Sequence, residues 1–280
     1  MGGISLLASY PKSGNTWLRA FLTSVWRDGA DVKLNNLMVP STSSRQLLEG
    51  LLGVSIGDLS ACEIAALRPA AYEYARTQHA QSHSLVYKIH DALLAVDDQM
   101  PAPFQTESIR RVVYLVRDPR DVAPSLARHL GIGIDQAIEV MADPLYRLSY
   151  YPWRSGRHVA QLLSTWSAHV KSWTEADTGL ATHVIRYEDM VRDPRSTFSS
   201  ILEFLDIEAS EGAVDLAIRA TEIAVLKAKE GAAGFREKTS SQYQFFYRGQ
   251  PGGWQQTLTR EQVESIEATH RPTMQRYGYL

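Results

Sequence analysis

The residues best suited to chemistry come near the start of the chain, in the segment Ser9–Trp17 (SYPKSGNTW). An apolar run over Ile4 to Ala8 precedes the segment and Leu18 to Leu22 follows it, which predicts a strand, a tight turn and the first turn of a helix. Backbone N–H groups in such a turn, together with the helix N-terminus, bind anions. Gly14 permits the turn, and Trp17 offers a flat face to a nucleotide base. Further donors come from Lys12, Ser13, Asn15 and Thr16. The segment therefore predicts a phosphate site.

A second cluster of polar residues follows the apolar run Arg111 to Val116. Arg117 comes directly after this run, and Asp121 is expected to cap the helix that follows. Ser125 lies about one helical turn beyond Asp121, so its hydroxyl is expected to approach the Arg117 guanidinium. Two donors that converge in this way would bind a second phosphate. The alternative is a helix cap with an Arg–Asp ion pair and no ligand.

His90 is the histidine at the end of a predicted central strand, in the run Val86 to Asp91. The period of two in a strand puts Lys88 and His90 on the same face. A histidine that titrates near neutrality can take the proton of an attacking hydroxyl or amine, an effect worth about 10²- to 10⁴-fold in rate. A surface histidine, or one satisfied in the core, is the alternative interpretation.

Alternating strands and helices must position these residues. The predicted strands are Ile4 to Ala8, Leu85 to Ile89, Arg111 to Val116 and His183 to Arg186, each with the apolar character of a strand buried on both faces. The predicted helices include Trp17 to Trp26, Ser60 to Ala80, Val122 to His129, Gly156 to Glu175 and Pro194 to Leu205. This order predicts an α/β fold with a central, mostly parallel sheet flanked by helices, whose ligands lie beyond the carboxyl ends of the strands.

Two segments interrupt the alternation, Gly29 to Gly57 and Gly131 to Gly156. We predict that they form lid and pocket segments, although a plain surface loop is an equal alternative for the first. The chain contains no internal repeat, no low-complexity tract and no linker that would separate domains. A single domain over residues 1–280 is therefore expected.

Composition narrows the classes of partner. The formal net charge of −2 gives no support for a nucleic-acid binder, which would show a basic excess. Cys62 is the only cysteine, so an intrachain disulfide and a cysteine-based metal site are excluded, as suits a reducing cytoplasm. No apolar stretch reaches the roughly 18 residues that span a bilayer, so stable membrane insertion is not expected.

In the segment Ser9–Trp17 the lysine precedes the glycine, unlike the G-x-x-x-x-G-K-[ST] loop of ATP and GTP enzymes. The segment resembles instead the P-loop-like 5′-phosphosulfate loop of sulfotransferases that use 3′-phosphoadenosine 5′-phosphosulfate (PAPS). Arg117 and Ser125 match the family's 3′-phosphate segment position for position. Lys88 and His90 are similar to its Lys-x-His pair after the second strand.

The resemblance extends to the C-terminal segment Tyr247–Trp254 (YRGQPGGW), which is similar to the family's Arg-Lys-Gly-x-x-Gly-Asp-Trp closure over the 3′-phosphate. Tyr247 stands where the family has arginine and Gly253 where it has aspartate, which leaves Arg248 and Gly249 as the expected contacts. Tyr187 and Thr221 resemble residues that touch adenine, and Ile223 replaces a family aromatic.

A PAPS-dependent sulfotransferase is the function that the resemblance implies, with adenosine 3′,5′-bisphosphate (PAP) as the product and no metal. Lys12 would act as the electrostatic catalyst in place of magnesium, with Lys88 as its partner and His90 as the base. The acceptor would be a hydroxyl or amine of a small molecule, glycan or lipid. We expect it near His90 and the aromatic segment Tyr146 to Trp153.

Two alternatives stay open. A magnesium-dependent, nucleotide kinase-like phosphotransferase would need an acidic metal ligand at a strand end, for which Asp91 is the candidate. The second alternative is a catalytically dead nucleotide-binding protein, for which the altered C-terminal segment is the best argument. Trp166 and Trp173 are interpreted as core residues, and His169 as a polar residue on the same helix. The family's dimer segment is missing from Gln255 to Val263, so the oligomeric state stays open.

Overall fold

The computed structural model describes residues 3–78, 85–95, 101–150, 156–175, 179–238, 243–247 and 249–280. The strands in these ranges are β1 Ile4–Ser9, β2 Val86–Ile89, β3 Ile109–Val116, β4 Arg147–Leu148, β5 Gln161–Leu162 and β6 Thr182–Arg186. The helices are α1 Asn15–Val25, α2 Arg45–Leu52, α3 Ala61–Gln78, α4 Pro119–Leu130, α5 Ile134–Ala142, α6 Trp166–Thr174, α7 Tyr187–Arg192, α8 Pro194–Phe204, α9 Glu211–Ala220, α10 Ile223–Ala233 and α11 Arg260–Arg276.

The main sheet has four parallel strands in the order β2-β1-β3-β6. The register of β1 and β2 sets Ala8 opposite Ile89, so the carboxyl ends of the two strands coincide. All residues of β1 and β2 are buried, as expected for apolar runs inside an α/β fold. The predicted fold class, a parallel sheet flanked by helices, is confirmed.

The prediction of burial on both faces is wrong for β6. Most of its residues are only half-buried, and Ile185 alone is fully buried. Among the described residues, β6 lies at one end of the strand order and has a strand neighbour on one side only, whereas the outer edge of β2, at the other end, is covered by the chain at residues 40–42.

The chain divides into two compact units, which we describe separately. The first unit comprises residues 1–10, 40–114 and 143–184, and the second comprises residues 11–39, 115–142 and 185–280. The expectation of one domain over residues 1–280 stays a prediction. Among the described residues, no helix combines the length and apolar character needed to cross a membrane.

In the first unit, the residues after Val39 are not a surface loop. The N–H of Thr42 donates to the carbonyl of Lys88, and the N–H of Lys88 donates to the carbonyl of Pro40. Ser41, Thr42 and Ser43 are buried, and the N–H of Val159 donates to the carbonyl of Ser43. This part of the predicted lid segment is therefore packed against β2, with a turn at residues 42–43.

The predicted helix Gly156 to Glu175 is wrong in its first half. Residues 161–162 form β5, which pairs antiparallel with β4, and α6 begins only at Trp166. Ser164 has a φ of 57°, in the left-handed region, and therefore interrupts any continuous helix. The Thr165 side chain then accepts the N–H of Ala168 and caps α6.

An ion pair inside the first unit yields a prediction about stability. Arg68 on α3 donates to both carboxylate oxygens of Asp91 at 2.7 and 2.8 Å, and both side chains are buried. We expect Arg68→Met to lower the free energy of unfolding by about 3–5 kcal/mol, because it leaves a buried carboxylate unpaired. Urea unfolding measures the loss.

The control is Arg260→Met, which removes the pair between Arg260 and Glu264 on the surface of α11. Both of these side chains are more than half exposed, so its loss should cost about 1 kcal/mol or less. An Arg68→Met loss no larger than that of the control would contradict the structural importance of the buried pair.

Candidate active site

The turn Pro11–Gly14 leads into α1 in the second unit, and its backbone is strained. Lys12 has a φ of 70° and Gly14 a φ of 98°, both in the left-handed region. Gly14 is the N-cap of α1 and brings no capping side chain, so the first N–H groups of the helix receive no such cap. Consecutive N–H groups in a turn of this kind form a concavity that binds anions.

Glycine is required at position 14 for a second reason. A Cβ there would lie 2.7 Å from Cδ2 of Tyr187, the first residue of α7. The Tyr187 ring also lies under the guanidinium of Arg117, with Cζ 4.3 Å from the ring centroid. The predicted turn, arginine and tyrosine are therefore brought together.

Arg117 is fixed directly to the turn. Its Nη1 donates to the carbonyl of Lys12 at 3.0 Å. Within the described part of the chain, Nε of Arg117, the Ser13 hydroxyl and the indole N–H of Trp17 are buried without a hydrogen-bond partner. Buried donors are costly when unpaired, and bound phosphate groups would supply acceptors to Arg117 and to Ser13. The donor set therefore fits a phosphate-bearing nucleotide.

Trp17 is a buried member of an aromatic group. Its ring meets those of Tyr187 and Phe198 edge-on, with centroids at 6.1 and 5.4 Å. Only 7% of the residue is exposed. Its expected stacking on a base therefore stays a prediction.

Asp121 has a role that the sequence analysis missed. The cap of α4 is Asp118, whose carboxylate accepts the N–H of Arg120, so the expected cap at Asp121 is wrong. The carboxylate of Asp121 instead accepts the N–H groups of Gly252 and Trp254 at 2.7 and 2.9 Å. Burial raises the pKa of Asp121. No feature of the sequence distinguishes this anchor from a cap, because both roles suit an aspartate in the first turn of a helix.

The C-terminal segment is held at a second point. The Tyr187 hydroxyl donates to the carbonyl of Gly249 at 2.7 Å. Gly249 has a φ of 69°, and a Cβ there would lie 2.7 Å from Cγ2 of Ile223. Glycine is thus required here as well. Arg248 lies outside the described residues, so its expected contact stays a prediction.

The other residues that are predicted to contact the nucleotide lie on helices of the second unit or at their ends. Asn15 and Thr16 open α1 and are buried, and Ser125 is half-buried on α4. Thr221 caps the end of α9 and is fully buried, with its hydroxyl donated to the carbonyl of Ala217 at 2.7 Å. Contacts of these residues with a nucleotide stay predictions.

The Lys12 ammonium lies against an aromatic ring. Its Nζ is 3.7 Å from the centroid of Phe245, a cation–π distance. This contact holds a positive charge beside the turn that the same residue helps to form.

In the first unit, His90 follows β2 and contacts the end of β1. Its Nδ1 lies 2.8 Å from the carbonyl oxygen of Ser9 and 3.2 Å from the Ser9 hydroxyl. Because a carbonyl oxygen can only accept, Nδ1 of neutral His90 carries the proton, and Nε2 is the nitrogen able to take one. This tautomer is the one that a base acting through Nε2 requires.

Lys88 lies in the middle of β2. It is opposite Leu7 of β1 on one side and forms a parallel bridge with Ser41 on the other. The residue is buried in the first unit, and its expected role beside Lys12 stays a prediction.

Two other polar residues near β2 differ from expectation. His169, predicted as a polar residue of its helix, is fully buried, with Nδ1 2.8 Å from the Tyr114 hydroxyl and Nε2 3.0 Å from the carbonyl of His90. Asp91, the candidate metal ligand, has both carboxylate oxygens bonded to Arg68. The core placement of Trp166 and Trp173 is confirmed.

The aromatic segment expected near the acceptor is partly described. Tyr146 is half-buried and its carbonyl accepts the N–H of Leu163, whereas Tyr150 is exposed. Tyr151 and Trp153 lie outside the described residues.

Comparisons with known proteins agree with this geometry. A family model described as a sulfotransferase domain matches residues 4–278. Mouse sulfotransferase 1B1 is 24% identical over 97% of this chain and 83% of its own length. The guinea pig (Cavia porcellus) 3-alpha-hydroxysteroid sulfotransferase is also 24% identical, over 98% of this chain and 84% of its own.

Solved structures show the same fold. Mouse sulfotransferase SULT7A1 complexed with PAP has a TM-score of 0.59 and 16% identity, covering 98% of this chain and 85% of its own. Retinol dehydratase in a complex with retinol and PAP has a TM-score of 0.58 and 19% identity, covering 97% of this chain and 81% of its own. The family match over nearly the whole chain confirms the predicted resemblance to PAPS-dependent sulfotransferases, and the chain belongs to the sulfotransferase family.

Proposed function

We propose that this sulfotransferase transfers a sulfuryl group from PAPS to a hydroxyl or amine of its acceptor, with His90 as the base. The observation that carries the role of His90 is the hydrogen bond between its Nδ1 and the Ser9 carbonyl. That bond leaves Nε2 as the proton acceptor, and general-base catalysis depends on such a defined tautomer.

The second unit would hold the nucleotide. PAPS, when bound, supplies the sulfuryl group and a phosphate leaving group. The chain's own residues would supply positive charge and hydrogen-bond donors. The turn with Lys12 and Ser13 would bind the 5′-phosphosulfate, and Arg117 with Ser125 would bind the 3′-phosphate. Positioning and electrostatics of this kind account for most of the catalysis in phosphoryl transfer, and we expect the same here. Lys12 with Lys88 would act without a metal.

Small molecules that carry a hydroxyl group are the proposed acceptors, ahead of glycans and lipids. Two curated relatives are named as hydroxysteroid sulfotransferases, and the related retinol dehydratase structures hold retinol or androsterone. Tyr146 is half-buried, and aromatic rings pack well on such compounds. We further propose a cytoplasmic location and no nucleic-acid partner.

The kinase-like alternative loses its named metal ligand, because Arg68 occupies both carboxylate oxygens of Asp91. A measurement of turnover distinguishes a catalytically dead nucleotide-binding protein from an active enzyme. The test is sulfuryl transfer from ³⁵S-labelled PAPS to 2-naphthol, a 3-hydroxysteroid and an amino sugar. Binding of PAP without transfer to any of them would favour the dead protein.

Replacing His90 tests the base. We expect His90→Gln to lower kcat by about 10²- to 10⁴-fold, because no group then takes the acceptor's proton, and to leave PAP affinity nearly unchanged. The measurement is turnover of labelled PAPS beside calorimetric PAP binding. His183→Gln, on β6, is the control and should keep its rate. If His90→Gln lowers kcat by less than tenfold, another group must accept the acceptor's proton.

Replacing Arg117 tests the 3′-phosphate site. Arg117→Ala should weaken PAP binding by about 10- to 100-fold more than adenosine 5′-phosphate binding, because the charge-assisted bond to the 3′-phosphate is lost for PAP alone. The bond to the Lys12 carbonyl is lost for both nucleotides. Calorimetric titration of both nucleotides measures the difference. Arg110→Ala, at the other end of β3, should change neither affinity. Equal losses for the two nucleotides would refute the assignment.

Replacing Asp121 tests the closure by the C-terminal segment. Asp121→Ala removes the acceptor of the Gly252 and Trp254 N–H groups, so PAP should dissociate about tenfold faster or more. Stopped-flow displacement of PAP measures the rate. The control Asp135→Ala removes a carboxylate that accepts from the Gln262 side chain in an exposed hydrogen bond. Equal dissociation rates in both variants would show that the anchored segment does not retain the nucleotide.

A further inference from the structure

The helix α6 is hydrogen-bonded at three points to the chain that follows β2. Nε2 of His169 lies 3.0 Å from the His90 carbonyl, and the indole N–H of Trp173 donates to the Asp91 carbonyl at 3.0 Å. The N–H of Leu93 donates to the Ser172 hydroxyl, also at 3.0 Å. Positions 169, 172 and 173 share one face of a helix. One face of α6 therefore holds residues 90–93.

The protonation of His169 follows from its partners. The His90 carbonyl can only accept, so the proton of neutral His169 is on Nε2, and Nδ1 accepts from the Tyr114 hydroxyl. The imidazole is fully buried, and burial lowers the pKa of His169 to about 4. The Tyr10 ring packs edge-on against it at 5.3 Å. His169 is thus a neutral donor with one defined orientation.

His90 is consequently held from two directions. Its ring is fixed by the Ser9 carbonyl, and its own carbonyl is fixed by His169. The residues beyond it are fixed too, since Arg68 holds the Asp91 carboxylate and the Ala92 N–H donates to the Leu162 carbonyl. The His169 bond acts directly on the backbone of the proposed base.

We infer that His169 is a positioning residue for His90, and that α6 serves as the clamp that aims Nε2 of His90 at the acceptor's proton. This inference rests on the proposed function of His90 as the base. A base that is misplaced by about 1 Å can lose on the order of 10²-fold in rate. Loss of the His169 bond should therefore lower kcat without changing nucleotide affinity.

Two substitutions of His169 separate the donor from the packing. His169→Leu fills the space but has no donor, whereas His169→Gln keeps an N–H near the position of Nε2. We expect His169→Leu to lower kcat by about 10- to 100-fold with the KM for PAPS unchanged, and His169→Gln to recover most of the rate. Tyr114→Phe removes the hydroxyl that bonds Nδ1 and should give a smaller loss.

His270→Leu is the control. His270 is also buried, with its pKa lowered by burial to about 4, but it lies on α11 in the second unit. Its replacement should lower thermal stability without lowering kcat. Equal kcat losses in His169→Leu and His169→Gln, or no loss in either, would overturn the inference.

A double-mutant cycle shows whether His169 acts through His90. If it does, His169→Leu should cause no further loss of kcat in a His90→Gln background, because the aimed group is already gone. Additive losses would overturn the inference, since they would mean that His169 acts independently of His90.

Two further measurements do not need turnover, so they separate this inference from the proposed function. Nitrogen-15 NMR of the histidine rings should show the Nε2–H tautomer for His169 and the Nδ1–H tautomer for His90. Amide hydrogen exchange should be faster at Ala92 and Leu93 in His169→Leu than in His169→Gln. An Nδ1–H tautomer at His169, or equal exchange rates, would overturn the clamp even in an active enzyme. The expected tautomers and exchange rates in a chain that transfers no sulfuryl group would overturn the proposed function and keep the clamp.

Discussion

Parallel pairing of β1 with β2, with Ala8 opposite Ile89, is the constraint on which the geometry of the proposed base depends. The pairing makes both strands end together, so the Ser9 carbonyl meets the His90 ring and selects its tautomer. A register slip of one residue would turn every side chain of β2 to the other face and break this contact. Buried apolar residues on β1 and β2 oppose such a slip. Hydrophobic burial in the sheet therefore determines which nitrogen of His90 can take a proton.

The second unit obtains its preorganisation from close backbone approaches rather than from many charges. Gly14 lies against the Tyr187 ring, and Gly249 lies against Ile223, at distances that leave no room for a Cβ. Tyr187 therefore links the turn, the Arg117 guanidinium and the C-terminal segment. Donors fixed in this way need no reorganisation when a phosphate binds, which is the condition under which electrostatic catalysis is most effective. The formal net charge of the chain is only −2, so anion binding has to be local.

Local patterns were sufficient to predict the strands of the main sheet, the turn at Lys12 and the strand-end position of His90. Roles that depend on long-range contacts could not be predicted in the same way. Asp121 is anchored to residues more than a hundred positions later, and the same residue type in the first turn of a helix reads equally well as a cap. His169 lies on a helix with several other polar residues, so its sequence does not single it out, and only its contacts with Tyr114 and the His90 carbonyl explain its burial. The first half of the predicted helix over Gly156 to Glu175 is wrong because β-pairing with β4 overrides local propensity there.

Nucleotide selectivity of the wild-type chain tests the central claim, a site built for a 3′,5′-bisphosphate, most directly. The measurement is calorimetric titration with PAP, adenosine 5′-phosphate and ATP, each with and without magnesium. The account predicts that PAP binds at least about tenfold more tightly than the other two, because Arg117 adds a charge-assisted contact to the 3′-phosphate, and that magnesium has no effect. Tighter binding of ATP that depends on magnesium would contradict the account and favour a kinase-like phosphotransferase.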